Sequence, residues 1–519
     1  MDPVVVTLVI LALAIAAFLS NRVPLGIVAI GVSVALWLTG VLDLQQALAG
    51  FGDPSVVFVA TLFVVSEALD STGVTAWAGQ FVIGRAGTKR TRLLVVIGAL
   101  AAVFSAFVSV NGAVAALIPV VVVVAARAGL PPSQLLMPLA FSASAGSMLA
   151  LTGTPVNIIV SQQAADAGSR PFGFFEFALV GLPLVLGTVV IVVALGRWLL
   201  PSRSATALPR DLTAYASTLR RQYALPDDTE LIGTRAGVAE VVVAPRSELI
   251  GLRLFPGMTT PSGDLVVIAV QRSGEALTGD DAVLQAGDTL LLSGEWEALE
   301  RNTSGPDVLV VDRIAGLRRS VPLGVGAKRS IAVLAVMVVL LATGIVPPAI
   351  AGLIAASALV LLRVLTPVQS YRSISWTTVV LIAGMIPLST AFVETGAADL
   401  AAQGLLDLVG GASPTIALLA VCVLTMVLGQ LISNTATVLI VAPIAVVIAD
   451  ALGVSVLPFM MALSVAGAAA FLTPVATPAN TMVLDPGAYR FGDYWKLGLP
   501  LLVWFLVVAV LYVPLIWPF

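Results

Sequence analysis

Four short polar segments interrupt the apolar stretches of this sequence, and their residue types suit the binding of small ions. Two are rich in Ser and Asn, at residues 109–112 (Ser-Val-Asn-Gly) and 433–435 (Ser-Asn-Thr). Two carry a Thr-Pro-x-Asn pattern, at residues 154–157 and 477–480. Proline removes a backbone donor and frees carbonyl oxygens for a hard cation, whereas half-helices that begin at such breaks present unpaired N–H groups to anions. The pattern predicts a site that holds Na⁺ and an anion side by side.

The elements that must position these segments are apolar runs, most of them near the roughly 20 residues that cross the hydrocarbon core of a bilayer. The runs cover residues 4–20, 24–41, 55–72, 93–128, 133–160, 173–200, 330–346, 347–364, 376–393, 414–450, 455–485 and 497–518. Of all residues, 59% are hydrophobic and 11% are charged, against roughly 25% charged residues in soluble proteins. The chain is therefore predicted to be a polytopic α-helical membrane protein.

Two of the runs, 93–128 and 414–450, are too long for one span, and each contains a Ser/Asn segment. Irregular backbone is not tolerated where it faces lipid, so the polar tips must line a protected cavity. Each run is predicted to be a re-entrant hairpin with its tip at mid-membrane. In the next span of each half, the Thr-Pro-x-Asn pattern predicts a broken helix.

The charges gather in one part of the chain, because residues 201–329 hold 30 of the 55. This divides the sequence into a membrane repeat (1–200), a linker (201–234), a small domain (235–305), a second linker (306–329) and a second membrane repeat (330–519). With ten full spans and two hairpins, the basic loops fall on one side of the membrane. The excess of basic residues on the inner side then predicts a cytoplasmic small domain and two outer termini in a cell (plasma or inner) membrane.

The two halves of the sequence resemble each other at a nearly constant spacing. The Thr-Pro-x-Asn pattern recurs at an offset of 323 (477 − 154), and Pro119 and Pro443 follow the two tips at an offset of 324 (443 − 119). The first run of each half starts on opposite sides of the predicted membrane, which indicates inverted-topology repeats of the kind found in secondary transporters. Chance similarity between apolar segments is the alternative explanation.

Several function classes lack their usual residues. The sequence has no histidine, which is the usual catalytic base at neutral pH, and its single cysteine, Cys422, lies in an apolar run. It contains no Walker or GxGxxG motif for a nucleotide, and its net charge of −3 does not favour nucleic acid. The protein is therefore not expected to be an enzyme, and Na⁺ is predicted to bind as the coupling ion.

The segments LTGTPVN (151–157), SNTAT (433–437) and TPVATPAN (473–480) resemble the divalent anion–sodium symporter family. The resemblance covers both membrane halves, and the Ser-Asn-Thr tip is its most specific motif. It implies a homodimer in which a transport domain moves against a scaffold in an elevator-type motion. It also implies symport of sulfate or a C4-dicarboxylate with several Na⁺.

The same resemblance implies the residues of the site. One sodium site would be framed by Ser109, Asn111, Gly153 and Thr154. The other would be framed by Ser433, Asn434, Ala476 and Thr477. The substrate would contact Ser109, Asn111, Thr154, Pro155, Ser433, Asn434, Thr435, Thr477 and Pro478. The first tip departs from the pattern, since it reads Ser-Val-Asn and lacks the threonine.

Two other functions fit the same sequence. Glu67, Asp70 or Glu394 would carry protons if the anion carrier were coupled to H⁺, and the polar insert would signal if the protein were a membrane-embedded sensor. The insert itself resembles a TrkA-C (RCK C-terminal) domain through VAEVVVAPRSELIGLRL, DLVVIAVQRSGEAL and LQAGDTLLLSGEWEALE. That resemblance implies either a regulatory domain for an unidentified small ligand or a docking domain without one.

Overall fold

A computed structural model of the chain forms two compact units. It describes all residues except 1, 21, 76, 79–86, 204–211, 224, 227–230, 232, 234–235, 261, 278–281, 312–323, 398–399, 401–412 and 475. The membrane unit comprises Met1–Glu67, Val82–Leu208 and Ala332–Phe519, and the polar unit comprises Ala68–Phe81 and Pro209–Ile331. Within the described residues, seven helices are long and apolar enough to cross a membrane, and five more are apolar but shorter. The predicted fold class, a polytopic α-helical membrane protein, is confirmed.

In the first half of the chain, the part that the structure describes contains nine α-helices with given bounds, and most of them follow the predicted apolar runs. They are α1 Pro3–Ser20, α2 Leu25–Leu38, α3 Leu44–Leu48, α4 Pro54–Ser71, α5 Arg90–Phe107, α6 Val110–Arg127, α7 Leu136–Gly146, α8 Pro155–Asp166 and α9 Ala178–Leu199. Short 3₁₀ segments at Ser147–Leu149 and Leu151–Gly153 separate α7 from α8. The helix of the 133–160 run is therefore broken between Gly146 and Pro155, as its Thr-Pro-x-Asn pattern predicts.

The polar unit contains a small sheet. Its helices are α10 Leu212–Gln222 and α11 Trp296–Thr303, and its strands are β1 Ala236–Val243, β2 Arg253–Leu254, β3 Leu265–Arg272, β4 Glu275–Ala276, β5 Ala282–Val283, β6 Thr289–Glu295 and β7 Val308–Val310. Five of the strands form one antiparallel sheet in the order β4-β3-β6-β1-β7, and β2 pairs with β5. Trp296 packs over Gly237, where any Cβ would lie 2.2 Å from the indole ring.

The second membrane half repeats the helix pattern of the first. Its helices are α12 Ala327–Thr343, α13 Pro348–Leu361, α14 Pro367–Ser373, α15 Trp376–Glu394, α16 Pro414–Gly429, α17 Asn434–Ala451, α18 Val456–Ala468, α19 Pro478–Leu484, α20 Tyr494–Val507 and α21 Val513–Ile516. A π-helical turn, Val508–Tyr512, joins the last two. The bounds of α2 and α13 are related by the repeat offset of 323 at both ends (348 − 25 and 361 − 38).

Backbone conformation repeats along with the helices. Gly129 just after α6 and Gly453 just after α17 occupy equivalent places, and both have a φ of 64°. Gly40 and Arg363 are equivalent at the offset of 323 (363 − 40) and have φ values of 72° and 54°. Because a positive φ is unfavourable for residues other than glycine, its use at Arg363 indicates that the fold of the repeat imposes this turn.

Helices of the two halves pack against each other in two pairs, and the pairs are related by the offset of 323. A Cβ at Gly384 in α15 would lie 2.7 Å from the Ala29 carbonyl carbon in α2, and Ser33 Oγ donates a hydrogen bond to the Gly384 carbonyl at 2.9 Å. Reciprocally, a Cβ at Gly352 in α13 would lie 2.1 Å from Thr61 Oγ1 in α4. Positions 29 and 352, like positions 61 and 384, are related by the offset of 323, so the two contacts are equivalent by the repeat.

The carboxylate of Glu176 links the loop between α8 and α9 to the last residues of the sequence through hydrogen bonds. Glu176 accepts hydrogen bonds from the Arg170 guanidinium at 2.6 and 2.7 Å, from the Gly173 amide at 2.8 Å and from Trp517 Nε1 at 2.8 Å. Partial burial raises the pKa of Glu176, but the hydrogen bonds and the positive charge of Arg170 outweigh it and leave the pKa below its ordinary value of 4.5. This loop also reaches the broken helix, since the Leu151 amide donates to the Phe174 carbonyl at 2.9 Å.

The lowered pKa gives a pH prediction. A carboxyl group whose pKa is lower in the folded state stabilises that state above its unfolded pKa, and this stabilisation is lost as pH falls through the folded pKa. We expect Glu176→Gln to cost about 1 kcal/mol at pH 7. The difference in thermal unfolding midpoint between variant and wild type, measured in detergent from pH 7 to 3.5, should shrink once the pH falls below 4.5. A constant difference over this range would contradict the assignment.

Candidate functional site

Each predicted tip is a sharp turn between two helices, and a serine caps the second one. Ser109 follows α5, and its Oγ accepts a hydrogen bond from the Gly112 amide at 3.1 Å. Ser433 follows α16, and its Oγ accepts from the Ala436 amide at 3.3 Å. A serine is favoured at such a position because its oxygen satisfies one of the free amides of the first turn. The arms contain 16 to 18 residues, and their re-entrant placement in the membrane stays a prediction.

Each predicted break is capped by the threonine of its pattern. Thr154 precedes α8 and accepts from the Val156 amide at 3.4 Å, and Thr477 precedes α19 and accepts from the Asn480 amide at 3.2 Å. The prolines that follow occupy the first helical position, where a missing N–H costs nothing. Each of the four segments that the sequence singles out therefore provides a helix N-terminus with a hydroxyl cap.

A buried asparagine stabilises each break through hydrogen bonds from its side-chain amide to two backbone carbonyls. The side-chain amide of Asn157 donates to the Ser147 and Ala150 carbonyls, both at 2.9 Å. The side-chain amide of Asn480 donates to the Ala470 and Thr473 carbonyls at 2.9 and 3.1 Å. Both asparagines are fully buried, and every partner is matched at the offset of 323. Sequence reasoning did not include these two residues in the site, although the recurrence of Asn in the pattern was the available signal.

The breaks are also tied to the tips through side chains that the sequence did not single out. In the first half, Thr152 Oγ1 donates to the Ala106 carbonyl at 2.8 Å, near the end of α5. In the second half, Gln430 Nε2 donates to the Ala469 carbonyl at 3.0 Å, and its Oε1 accepts from the Leu472 amide at 2.9 Å. Each tip and its break are therefore held together as one polar structure.

The site combines the two halves, because the broken helix of each half packs against the tip helix of the other. Helix α8 contacts α17, and α19 contacts α6. At the first of these crossings, a Cβ at Gly467 would lie 2.8 Å from Val438 Cγ2 and 3.5 Å from Val156 Cγ1. Since Val156 and Val438 lie near the starts of α8 and α17, the N-terminal turns of these two helices lie close together.

The predicted site residues differ in burial. Asn111 and Pro478 are exposed, Gly153 and Ala476 are buried, and the others are intermediate: Ser109, Thr154, Pro155, Ser433, Asn434, Thr435 and Thr477. Asn434 Oδ1 is buried and has no hydrogen-bond donor among the described residues. An unpaired buried amide oxygen is costly, and it is also the neutral oxygen ligand that a hard cation prefers. The second predicted cation site therefore fits Na⁺ on this observation.

The acidic candidates for proton coupling have other contacts. Glu394 is exposed and accepts from Gln46 Nε2 at 2.9 Å. Asp70 accepts from Thr75 Oγ1 at 3.1 Å, and both residues belong to the polar unit. Glu67, at the end of the first segment of the membrane unit, is partly buried and has a partner. The hydrogen bonds described for Glu394 and Asp70 thus lead to residues outside the four breaks.

The fold and the comparisons define a multi-pass membrane transporter rather than an enzyme. The sequence profile of the citrate transporter family matches residues 15–420 and 409–519. The chain belongs to that family, which is related to the divalent anion–sodium symporters. The predicted resemblance is thus confirmed at the level of the family.

Relatives of this chain are named as transporters, and a solved structure is similar to it in fold. The uncharacterized transporter YfbS of Escherichia coli (strain K12) is 32% identical over 98% of this chain and 98% of its own length. Sodium/sulfate cotransporter 2 of Chlamydomonas reinhardtii is 32% identical over 47% of this chain and 28% of that protein. The crystal structure of the Alcanivorax borkumensis YdaH transporter is similar in fold, with a TM-score of 0.51 at 16% identity, over 92% of this chain and 88% of that one.

Proposed function

We propose that the protein is a secondary active transporter that couples uptake of a small divalent anion to Na⁺. The observation that carries the proposal is the unpaired buried oxygen of Asn434 at the hydroxyl-capped N-terminus of α17, which packs against α8, another helix with a hydroxyl cap. Helix N-termini stabilise negative charge, and the amide and hydroxyl oxygens beside them suit a cation. A relative named as a sodium/sulfate cotransporter supports the same pairing of ions.

Sulfate and a C4-dicarboxylate are the two candidate substrates, and the name of a relative, a sodium/sulfate cotransporter, favours sulfate. The proposed substrate contacts contain Ser, Thr, Asn and Pro and neither Lys nor Arg. Neutral donors at helix ends suit a small dianion whose charge is balanced by bound Na⁺. Na⁺ would therefore be required for anion binding as well as for transport, because it supplies the missing positive charge.

The roles of the residues follow from the two predicted cation sites. One Na⁺ would lie among Ser109, Asn111, Gly153 and Thr154. A second would lie among Ser433, Asn434, Ala476 and Thr477. The anion would lie between the tips, with Thr435 and the prolines Pro155 and Pro478 around it. The matched helix bounds and turns of the halves support a repeat. The opposite starting sides predicted from the basic loops would make the repeat inverted, and inverted repeats permit alternating access around a fixed site. The elevator-type motion and the homodimer are part of the same proposal.

The polar unit is proposed to be a TrkA-C-like regulatory domain on the cytoplasmic side of the cell membrane. Its five-stranded sheet and helix α11 provide a compact fold with its own apolar core. Its small-molecule regulator is unknown. This proposal is independent of the transport site, since it rests on the polar unit alone.

Uptake into proteoliposomes tests the proposed function directly. We expect labelled sulfate to accumulate under an inward Na⁺ gradient, to fail to accumulate when K⁺ or choline replaces Na⁺, and to be indifferent to an imposed pH gradient. Unlabelled succinate and citrate in the same assay rank the competing anions. Uptake driven by a pH gradient without Na⁺ would establish the proton-coupled alternative, and no uptake of any anion would overturn the transport proposal.

A further inference from the structure

Ser464 is a serine of the second half that contacts the first break. It lies in α18 and is fully buried, and its Oγ donates a hydrogen bond to Asn157 Oδ1 at 2.6 Å. The same Oγ lies 3.7 Å from Met148 Sδ. Met148 belongs to the 3₁₀ segment before Gly153, and Asn157 belongs to the first turn of α8 after it. One hydroxyl group therefore contacts the chain on both sides of Gly153.

The hydrogen bond to Asn157 leads to a residue of the first predicted cation site. The side-chain amide of Asn157 donates to the Ser147 carbonyl at 2.9 Å. A Cβ at Gly153 would lie 2.1 Å from that carbonyl oxygen, and Gly153 is one of the residues predicted to frame the first Na⁺. Because both the oxygen and the nitrogen of the Asn157 side chain are hydrogen-bonded, Ser464 fixes the orientation of Asn157. Through the Ser147 carbonyl, this orientation also determines where Gly153 lies.

The repeat itself does not require a hydroxyl group at this position. At the offset of 323, Ser464 matches Phe141 and Met148 matches Phe471, and these two rings pack at a centroid distance of 5.0 Å. An apolar contact therefore takes the equivalent place beside the second break. Since a buried hydroxyl group is costly unless it makes a hydrogen bond, the bond to Asn157 is the feature that distinguishes the serine from the aromatic ring.

The same side of α18 also contacts the helix of the second tip. Gly467 lies three residues after Ser464 and therefore on the same helix face. A Cβ at Gly467 would lie 2.8 Å from Val438 Cγ2 in α17 and 3.5 Å from Val156 Cγ1 in α8. Val438 follows Asn434 by four residues, so these two side chains share a face of α17. One face of α18 thus contacts both the first break and the second tip helix.

We infer that Ser464 is a positioning residue for Na⁺ binding, which holds the first break from the other half of the chain in the geometry that the first cation site requires. The inference rests on the proposed Na⁺ coupling and adds a residue that acts through Asn157. The bond joins α18 to α8, so the first cation site keeps its geometry only while α18 stays against the break. Loss of the hydroxyl group weakens Na⁺ binding and leaves the transport rate at saturating Na⁺ nearly unchanged.

Two serine substitutions in the full-length protein separate positioning from stability. Ser464→Ala removes the bond to Asn157. Ser33→Ala is the matched control, because Ser33 is also buried and its Oγ donates across the halves to the Gly384 carbonyl at 2.9 Å, and neither α2 nor α15 contains a residue of the predicted cation sites. Both variants should have a lower thermal unfolding midpoint than the wild type, since each loses a buried hydrogen bond.

The decisive readout is the Na⁺ dependence of sulfate uptake into proteoliposomes, with choline replacing Na⁺. We expect Ser464→Ala to raise the Na⁺ concentration for half-maximal uptake about fivefold, which corresponds to roughly 1 kcal/mol, and to keep the maximal rate within about twofold of the wild type. Ser33→Ala should keep the wild-type Na⁺ dependence.

The outcomes distinguish this inference from the proposed function. If uptake by the wild type does not depend on Na⁺, the proposed coupling fails and the inference falls with it. If the wild type requires Na⁺ but Ser464→Ala keeps its Na⁺ dependence, or both serine variants shift it equally, the inference alone is wrong. Should Ser464→Ala not fold, Ser464→Cys decides, because a thiol is a weaker donor at the same place. Its Na⁺ requirement must rise, and an unchanged requirement would overturn the inference.

Discussion

Replacing Asn434 with alanine is expected to raise the Na⁺ concentration for half-maximal anion uptake by about 10- to 100-fold, since a hydrogen-bond-like contact to a charged partner contributes roughly 1.5–3 kcal/mol. The protein should nevertheless keep its fold. Asn434 Oδ1 has no donor among the described residues, so its removal breaks no hydrogen bond at that atom. In Na⁺-free buffer, the thermal midpoint of Asn434→Ala should equal or exceed that of the wild type.

This combination of a weakened Na⁺ response and an intact fold distinguishes a ligand from a structural residue. Thr425→Val is the matched control, because Thr425 is buried in α16 and its Oγ1 donates to the Val421 carbonyl of its own helix, at 2.7 Å. The control should leave the Na⁺ dependence of sulfate uptake unchanged. If Asn434→Ala transports sulfate with the wild-type Na⁺ dependence, the second cation site is wrongly assigned.

Gly153→Ala should damage the first break strongly, although it adds only a methyl group. A Cβ at this position would lie 2.1 Å from the Ser147 carbonyl oxygen, which already accepts the Asn157 side-chain amide at 2.9 Å. The methyl group must displace that carbonyl and break its hydrogen bond. Overpacking and the lost bond together should cost roughly 2–4 kcal/mol, a large share of the roughly 5–15 kcal/mol that stabilises a typical fold.

The measurements for Gly153→Ala are thermal unfolding in detergent and Na⁺-driven uptake, both of which should fall strongly. Gly31→Ala is the control, because nothing lies within 4 Å of a Cβ at Gly31 in α2. That substitution should be neutral or stabilise the helix by about 0.5–1 kcal/mol. Equal behaviour of the two variants would show that the break has room for a side chain, contrary to the geometry described above.

Much of the architecture could be predicted because it depends on local patterns in the sequence. Apolar runs, prolines at helix starts and glycines after helix ends determine where each membrane helix begins and ends. The four polar segments were found for the same reason, since Ser, Thr and Asn stand out in an apolar environment. In the polar unit, the long strands β1, β3 and β6 show the alternation of a sheet, whereas β2, β5 and β7 have only two or three residues each and leave no periodic signal.

The partners of the site residues could not be predicted, because they lie far away in sequence. Ser464 reaches Asn157 across 307 residues, and its position inside an apolar helix gives no hint of that contact. Gln430 joins a tip to a break 39 residues later, and it precedes the motif that draws attention to the tip. Such contacts depend on how helices pack, and one-dimensional spacing does not record which faces meet.

Because helices of one half pack against helices of the other, each half needs the other to complete its packing. Helix α2 is completed by α15 through Ala29 and Gly384, and α13 is completed by α4 through Gly352 and Thr61. A polypeptide that ended within the polar unit would leave Ala29 of α2 and Thr61 of α4 without the glycine-containing helices, α15 and α13, against which they pack. Two fragments cut at that point would each lack these contacts and would regain them only by assembling with each other in the same membrane.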